Sequence, residues 1–451
     1  MCTGARSYNM NTLTAHITPA MSADRAQEIA QTLDLRALPR DFLDNPYPVY
    51  SALRESEPYK RMPDGSYFLT RHADLVAVYR DAKVFSSDKQ VEFGPKYNHA
   101  PFNQPPYATA SGVSPLYEHH TSSLVFNDPP LHTRVRRLIM GALTRRAIEA
   151  MEPGLVQLVD SLLDKIEAQG GGDLIEDFAS AIPVEIIGNL LDVPHADREP
   201  LRGWSLAILG ALEPSLTPEQ EALGHRSVSE FLAYLRELVA KRRQHPGDPE
   251  HDVLTRLIQG EENGDALSEV GLLQNCVFLL NAGHETTTNL IGNALISLQE
   301  WTEQRIQLQT DLNAATSEED RERIMGLAVD EFLRFESSNQ LGNRRALQAT
   351  QVNGMDLPAG ALVTLCIGAA NRDPAVYDNP EQLNLRRTGN KHLAFGFGVH
   401  QCAGLSLARL EGRVAIKRFL QRFPNYQLMQ APQRGGRARF RGFLHAPFSI
   451  R

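Results

Sequence analysis

Phe395-Gly396-Phe397-Gly398-Val399-His400-Gln401-Cys402-Ala403-Gly404 brings three glycines and one thiol into a single short run. Glycines at that density free the backbone to approach something bulky and to turn amides toward the sulfur. A lone cysteine held in an amide-rich turn ahead of a helix is disposed toward the thiolate, which is a metal ligand or a nucleophile. The plain alternative is a small buried side chain, the usual state of a free cysteine.

The pattern Phe-Gly-x-Gly-x-His-x-Cys-x-Gly is filled at every specified position and resembles the haem-binding loop of the cytochrome P-450 superfamily, soluble bacterial type. The resemblance implies a mainly α fold with a small β lobe, in which haem b lies between a long central helix and the cysteine loop. Its iron would be held by the Cys402 thiolate, which pushes electron density onto the metal and favours O–O cleavage. Ala282, Phe395 and Gly396 would lie against the cofactor.

Upstream, Ser268 is placed to cap a helix running to about residue 299, roughly thirty residues or about 45 to 50 Å at about 1.5 Å per residue. The run 276–280 is apolar on every face, so the helix is expected to pass through the core. Into it is set Ala282-Gly283-His284-Glu285-Thr286-Thr287-Thr288. A buried acid is costly unless it is used or paired, and Thr286 can bond a preceding carbonyl and locally widen the helix. This stretch is similar to the family's oxygen-binding segment, Ala/Gly-Gly-x-Asp/Glu-Thr. By that resemblance Thr286 would donate to iron-bound dioxygen and Glu285 would relay protons from solvent, while His284 is read as structural.

Haem carries two propionates, so cations must converge on them. The segment 128–137 looks like the start of the family's haem-contacting helix, and there His132 and Arg136, one turn apart, would meet the propionates. His400 and Arg344 fall where the family places its remaining partners, with Arg345 a close rival of Arg344. Glu331 and Arg334, three apart, read by themselves as a surface ion pair. They also match the family's Glu-x-x-Arg pair, a fold-locking network completed by a later arginine, either Arg386 or Arg387. After that pair stands Ser337-Ser338-Asn339-Gln340-Leu341-Gly342, where many bacterial members have a proline step; a looser, reshaped pocket wall is expected there.

The chain has 451 residues, 42% of them hydrophobic, with a net charge of −8, which argues against a nucleic-acid footprint. Cys2, Cys276, Cys366 and Cys402 show no paired spacing, as in a reducing compartment. Residues 1–27 mix polar and short apolar stretches and offer neither a signal sequence nor a span of about 20 apolar residues. They read as a flexible segment ahead of a single domain over 28–451, in a cytoplasmic protein that does not enter a membrane. A hairpin around Pro63-Asp64-Gly65 leads to a strand over 67–70 and a helix from about residue 73. Periodicity fails between 87 and 127, and amphipathic runs then predict helices over 131–143, 147–169, 182–191, 218–243, 252–259 and 324–334. A strand over 361–365 precedes the cysteine loop, and a helix reaches residue 419.

The resemblance therefore implies a mono-oxygenase that inserts one atom of dioxygen into a small organic substrate. Beyond residue 419 no flavin, nicotinamide or iron–sulfur pattern follows, so electrons would come from a separate ferredoxin or flavodoxin with its reductase. Arg136, Arg137, Arg409 and Arg413 are expected to form a basic docking face for that acidic partner. A peroxide-driven peroxygenase and a non-catalytic haem sensor are the alternatives, and both fit the Glu285-Thr286 pair less well. Phe93, Tyr97, Phe102, Tyr107, Leu279 and Leu341 are the candidate substrate contacts, with His99, His119 and His120 available to read a polar group.

Overall fold

The computed structural model describes residues 18–249, 252–260 and 267–450, and in them helices dominate. One five-stranded sheet has the order β1-β2-β5-β4-β3, made of β1 (Tyr59–Arg61), β2 (Tyr67–Leu69), β3 (Phe85–Ser86), β4 (Leu341–Ala346) and β5 (Leu362–Cys366). β1 and β2 form the expected hairpin, whose turn is pinned where the Ser66 amide and hydroxyl both donate to Asp64 Oδ1, at 2.9 and 2.6 Å. β2 runs parallel to β5, and β5 antiparallel to β4 with Arg344 opposite Val363. Successive residues of a strand face opposite ways, so the sheet itself separates Arg344 from Arg345.

The central helix spans Glu269–Glu300, 32 residues or about 48 Å. Ser268 caps it, accepting from the Gly271 amide at 3.0 Å. Most of its side chains from Leu272 onward are buried, because the helices Ala181–Leu190, Leu201–Gly210 and Leu405–Arg422 pack around it. Among the described residues no helix is long and apolar enough to cross a membrane.

Several boundaries differ from the sequence expectation for identifiable reasons. Helix Ala23–Gln31, capped by Ser22 with Ala26 and Ile29 buried, begins inside the segment expected to be flexible, whose residues 1–17 lie outside the described ones. Helix Glu318–Phe335 starts six residues before the apolar periodicity, at a Ser317 cap followed by three acidic residues that suit the positive end of the helix dipole. Leu201–Gly210 and Thr302–Ala314 are helices the periodicity did not separate from their neighbours. The aperiodic stretch 87–127 holds two short helices, Gln90–Phe93 and Pro115–Ser122.

Glu331 and Arg334 are not a surface pair: both side chains are 0% exposed. Arg334 Nε and Nη2 donate to the Glu331 carboxylate at 2.8 Å each, and its remaining donors reach the carbonyls of Asn371, Pro380 and Gln382. Arg387 completes the set with Nε 3.0 Å from Glu331 Oε2, whereas Arg386 pairs with the more exposed Asp311. A buried ion pair with every donor engaged costs little to keep and much to break. Glu331→Ala should therefore lower unfolding free energy by about 3–5 kcal/mol in denaturant titration. Arg386→Ala, which removes a largely exposed pair, should cost no more than about 1 kcal/mol.

Candidate active site

A cavity of about 350 Å³ lies between the central helix and the cysteine loop. Phe278, Leu279, Ala282 and Thr286 of the helix face Phe395, Gly396 and Cys402 of the loop across it. Cys402 is the only described cysteine among the lining residues; Cys276 and Cys366 are buried elsewhere.

The loop closes where the Cys402 amide donates to the Phe395 carbonyl at 2.8 Å. Gly396 and Gly398 take φ of +65° and +71°, and a Cβ on Gly398 would stand 2.4 Å from the Tyr79 carbonyl oxygen. Only glycine fits there, which is why the sequence spends two on adjacent alternate positions. Burial pushes the Cys402 thiol up from its ordinary value, opposed by the Gly404 amide and the guanidiniums of Arg136 and Arg409. The turn amides alone do not hold a thiolate; coordination to a cation would.

At one edge of the cavity His132, Arg136, Arg344 and His400 converge. The His132 and His400 rings are 4.1 Å apart between centroids, and neither His132 nitrogen nor His400 Nε2 has a hydrogen-bond partner among the described residues. Burial lowers His132 to about 4 and His400 to about 2. Arg344 lies 5.1 Å over the Tyr79 ring and donates to the Asn343 carbonyl, and neither it nor Arg136 makes an ion pair among the described residues. Arg345 instead bonds Glu92 and the Gly360 carbonyl, both at 2.6 Å.

On the helix side Thr286 Oγ1 donates to the Ala282 carbonyl at 2.8 Å, and the segment remains regular α-helix rather than widening. Glu285 does not line this cavity. It borders a second, small cavity with Arg202 and His284, and its Oε1 accepts from Arg437 Nη1 at 2.6 Å. Burial raises its carboxyl to about 7 against the pull of Arg437.

The segment 337–342 is not loosened by its missing proline. The Ser337 hydroxyl donates to the Leu333 carbonyl at 2.7 Å, the Ser338 hydroxyl to the Thr286 carbonyl at 2.7 Å, and Gln340 Nε2 to the Ser337 carbonyl at 2.8 Å.

Four expected substrate contacts are displaced. Phe93 packs on Tyr117 and His120, Phe102 stacks on His225 at 4.1 Å, Tyr107 abuts Phe102, and Tyr97 Oη bonds Thr121 Oγ1 at 2.5 Å. Phe102 fastens the 87–127 stretch to helix Pro218–Gln244 while Phe93 and Tyr97 pack within the stretch, and none of the four rings lines the cavity. His119, His120, Leu124 and Phe126 do, together with the expected Leu279 and Leu341. His99 stays with the aromatic group.

Of the arginines expected to form a basic face, Arg409 pairs with Asp330 and Arg413 with Glu322, each at 2.8 Å, and Arg136 lines the cavity. Sequence reasoning missed Lys89, Asn281, Glu411 and Arg439, all of which line the cavity. Arg439 was hidden because it returns from the C-terminal end of the described chain, donating to the Leu341 carbonyl at 2.7 Å.

The "Cytochrome P450" family model matches residues 210–433. A "Biotin biosynthesis cytochrome P450" of Bacillus subtilis (strain 168) is 32% identical over 391 residues, 86% of this chain and 91% of that protein. The chain belongs to the cytochrome P-450 family. The "Vitamin D(3) 25-hydroxylase" of Pseudonocardia autotrophica is 34% identical over 392 residues, 86% of this chain and 88% of the relative. Among solved structures, P450BioI in complex with an acyl carrier protein ligated to hexadec-9Z-enoic acid superposes with a TM-score of 0.80 at 31% identity, covering 91% of this chain and 100% of that one. Epothilone D-bound P450epoK gives 0.79 at 30% identity, covering 93% and 99%. This cytochrome P-450 is thus a mono-oxygenase of the mainly α family fold, and the family cofactor is haem with a cysteine thiolate on iron.

The residues present fit that group. An apolar slot runs between helix and loop, a thiol stands on one wall, and unpaired guanidiniums beside partnerless imidazoles collect at one edge, where two carboxylates would satisfy them. Gly398→Ala should lower the haem content per protein chain, read from the absorbance ratio of the purified enzyme. Gly154→Ala, in a helix with open space around its Cβ, should leave that ratio unchanged.

Glu411 on helix Leu405–Arg422 is 2% exposed, and burial alone raises it from 4.5 to about 8. Below about pH 4.5 both folded and unfolded chains hold this proton; between about 4.5 and 8 only the folded chain does, so stability falls as pH rises through that window. Glu411→Gln should flatten this dependence and raise the melting temperature most at and above pH 8.

Proposed function

We propose that Cys402 would hold the iron of a haem in a mono-oxygenase oxidising an extended, mostly apolar organic substrate. The observation that carries this is the single cavity between the central helix and the cysteine loop, with unpaired basic groups along one edge and Thr286 on the wall opposite the thiol. Bound there, haem supplies reductive activation of dioxygen, two electrons and two protons giving one oxygen atom to the substrate and one to water.

The chain's own groups orient and insulate that chemistry. Arg136 and Arg344 would neutralise the propionates, and His132 and His400 would donate N–H bonds to them. The Thr286 hydroxyl, held by the Ala282 carbonyl, is a donor and acceptor that passes a proton into the cavity when that bond is exchanged. Glu285 titrates near neutrality and faces away from the cavity, so it takes protons on the Arg437 side and hands them on through its helix neighbour. Phe278, Leu279 and Leu341 exclude water.

The electron source in this reading is a separate ferredoxin or flavodoxin. The absence of a spanning helix among the described residues supports work in the cytoplasm.

The protein reduced under carbon monoxide should show the strongly red-shifted Soret band of a thiolate-ligated haem, and Cys402→Ser should lose it. An unshifted band in the unaltered protein would sink the ligand assignment. For any compound that shifts the ferric spin state, Thr286→Ala supplied with a surrogate ferredoxin and reductase should form about ten-fold less product per electron consumed.

A further inference from the structure

The wall of the cavity formed by helix Pro115–Ser122 and the central helix contains a hydrogen-bonded chain that ends in unused groups. Thr109 Oγ1 donates to Glu118 Oε1 at 3.1 Å, and Gln274 Nε2 donates to Glu118 Oε2 at 2.9 Å. With its amide fixed that way, Gln274 presents Oε1 to His119 Nδ1 at 3.0 Å, which makes Nδ1 the protonated nitrogen of that ring. His119 Nε2 is then an acceptor, and it faces Asn281 Nδ2 at 3.4 Å.

The chain therefore sets the orientation of the last amide: Asn281 has its Nδ2 turned to His119 and its Oδ1 without any partner among the described residues. Asn281 is 1% exposed and lines the cavity. His120, also 1% exposed and also lining the cavity, makes no well-formed hydrogen bond from either ring nitrogen, although it approaches the Ile208 backbone, and its ring centroid is 5.7 Å from that of His119. Apolar contacts surround both: Phe93 and Phe126 pack on the His120 ring, and Leu279 lines the cavity beside Asn281. A buried acceptor and a buried imidazole left open among apolar side chains on one wall of the cavity call for a polar guest.

We propose that Asn281 and His120 form a recognition site for a hydroxyl group on the substrate, the hydroxyl donating to Asn281 Oδ1 and accepting from a ring N–H of His120. This rests on the mono-oxygenase reading above and narrows its substrate class to apolar molecules carrying a hydroxyl remote from the oxidised carbon. A ketone or ether offers no donor to Asn281, and a carboxylate would face that acceptor with like partial charge. The relay from Glu118 keeps the amide from flipping to suit them.

The test uses the haem-loaded enzyme and two matched pairs of probes: dodecan-1-ol with 1-methoxydodecane, and 5α-androstan-3β-ol with its 3-methyl ether. Spin-state titration should give, for at least one scaffold, about ten-fold tighter binding of the alcohol than of its ether. Asn281→Leu should remove that preference by weakening the alcohol alone. Should Asn281→Leu fail to fold, His120→Phe, which keeps the ring packing, should weaken the alcohol in the same way. Equal binding of alcohol and ether, a preference that survives both substitutions, or no binding of either alcohol by protein that retains the red-shifted carbon monoxide band overturns the proposal. Loss of the carbon monoxide band in the unaltered protein counts against the haem-thiolate reading instead.

Discussion

Everything near the cysteine depends on one buried carboxylate. Glu331 accepts from Arg334, Arg387, the Asn384 amide and Asn390 Nδ2, while Arg334 reaches back to three carbonyls between residues 371 and 382. The stretch so gathered has almost no regular secondary structure, so it cannot satisfy its backbone by ladders or helical turns. The ion pair substitutes for them. Asn371, one of its acceptors, also receives the Leu393 amide at 2.7 Å on its side chain, which delivers the chain to the start of the cysteine loop. The desolvation cost of the two charges is offset because each lone pair and N–H has a fixed partner, and the reward is a loop whose sulfur position is set from a distance.

That arrangement explains why the two halves of the site are legible to different degrees. The loop 395–404, the capped central helix and the Ala282 to Thr288 segment announce themselves because their chemistry is local: glycines for positive φ, a serine for a helix start, an acid among apolar turns. Arg344 could be told from Arg345 only once β4 was paired, since strand alternation, not sequence, sends them to opposite faces. The four loop aromatics were misread because a ring signals burial without saying against what; the partner of Phe102, His225, lies more than a hundred residues away. Asn281 is conspicuous only by the acceptor it leaves open, a property no sequence pattern carries, whereas His120 was already a candidate for reading a polar group.

Thr286 and Glu285 are adjacent in sequence yet open onto different spaces, as neighbours about 100° apart on a helix must. The carboxylate therefore meets the Arg437 side while the hydroxyl meets the cavity. The Ser338 hydroxyl ties the same turn to the segment leading into β4, so the oxygen-side helix and the substrate-side strand share one fixed joint.

The contrast between the two walls also bears on how such enzymes diversify. The wall carrying the thiol is cross-linked by directional charge pairs, in which a single exchange strands a partner. The wall formed by 87–127 is fastened to helix Pro218–Gln244 largely by ring stacking, such as Phe102 on His225, which tolerates replacement of one flat apolar group by another. Mutational drift can thus rework what the chamber admits while the metal-side scaffold stays constant, and one oxidising centre serves many descendants with different diets.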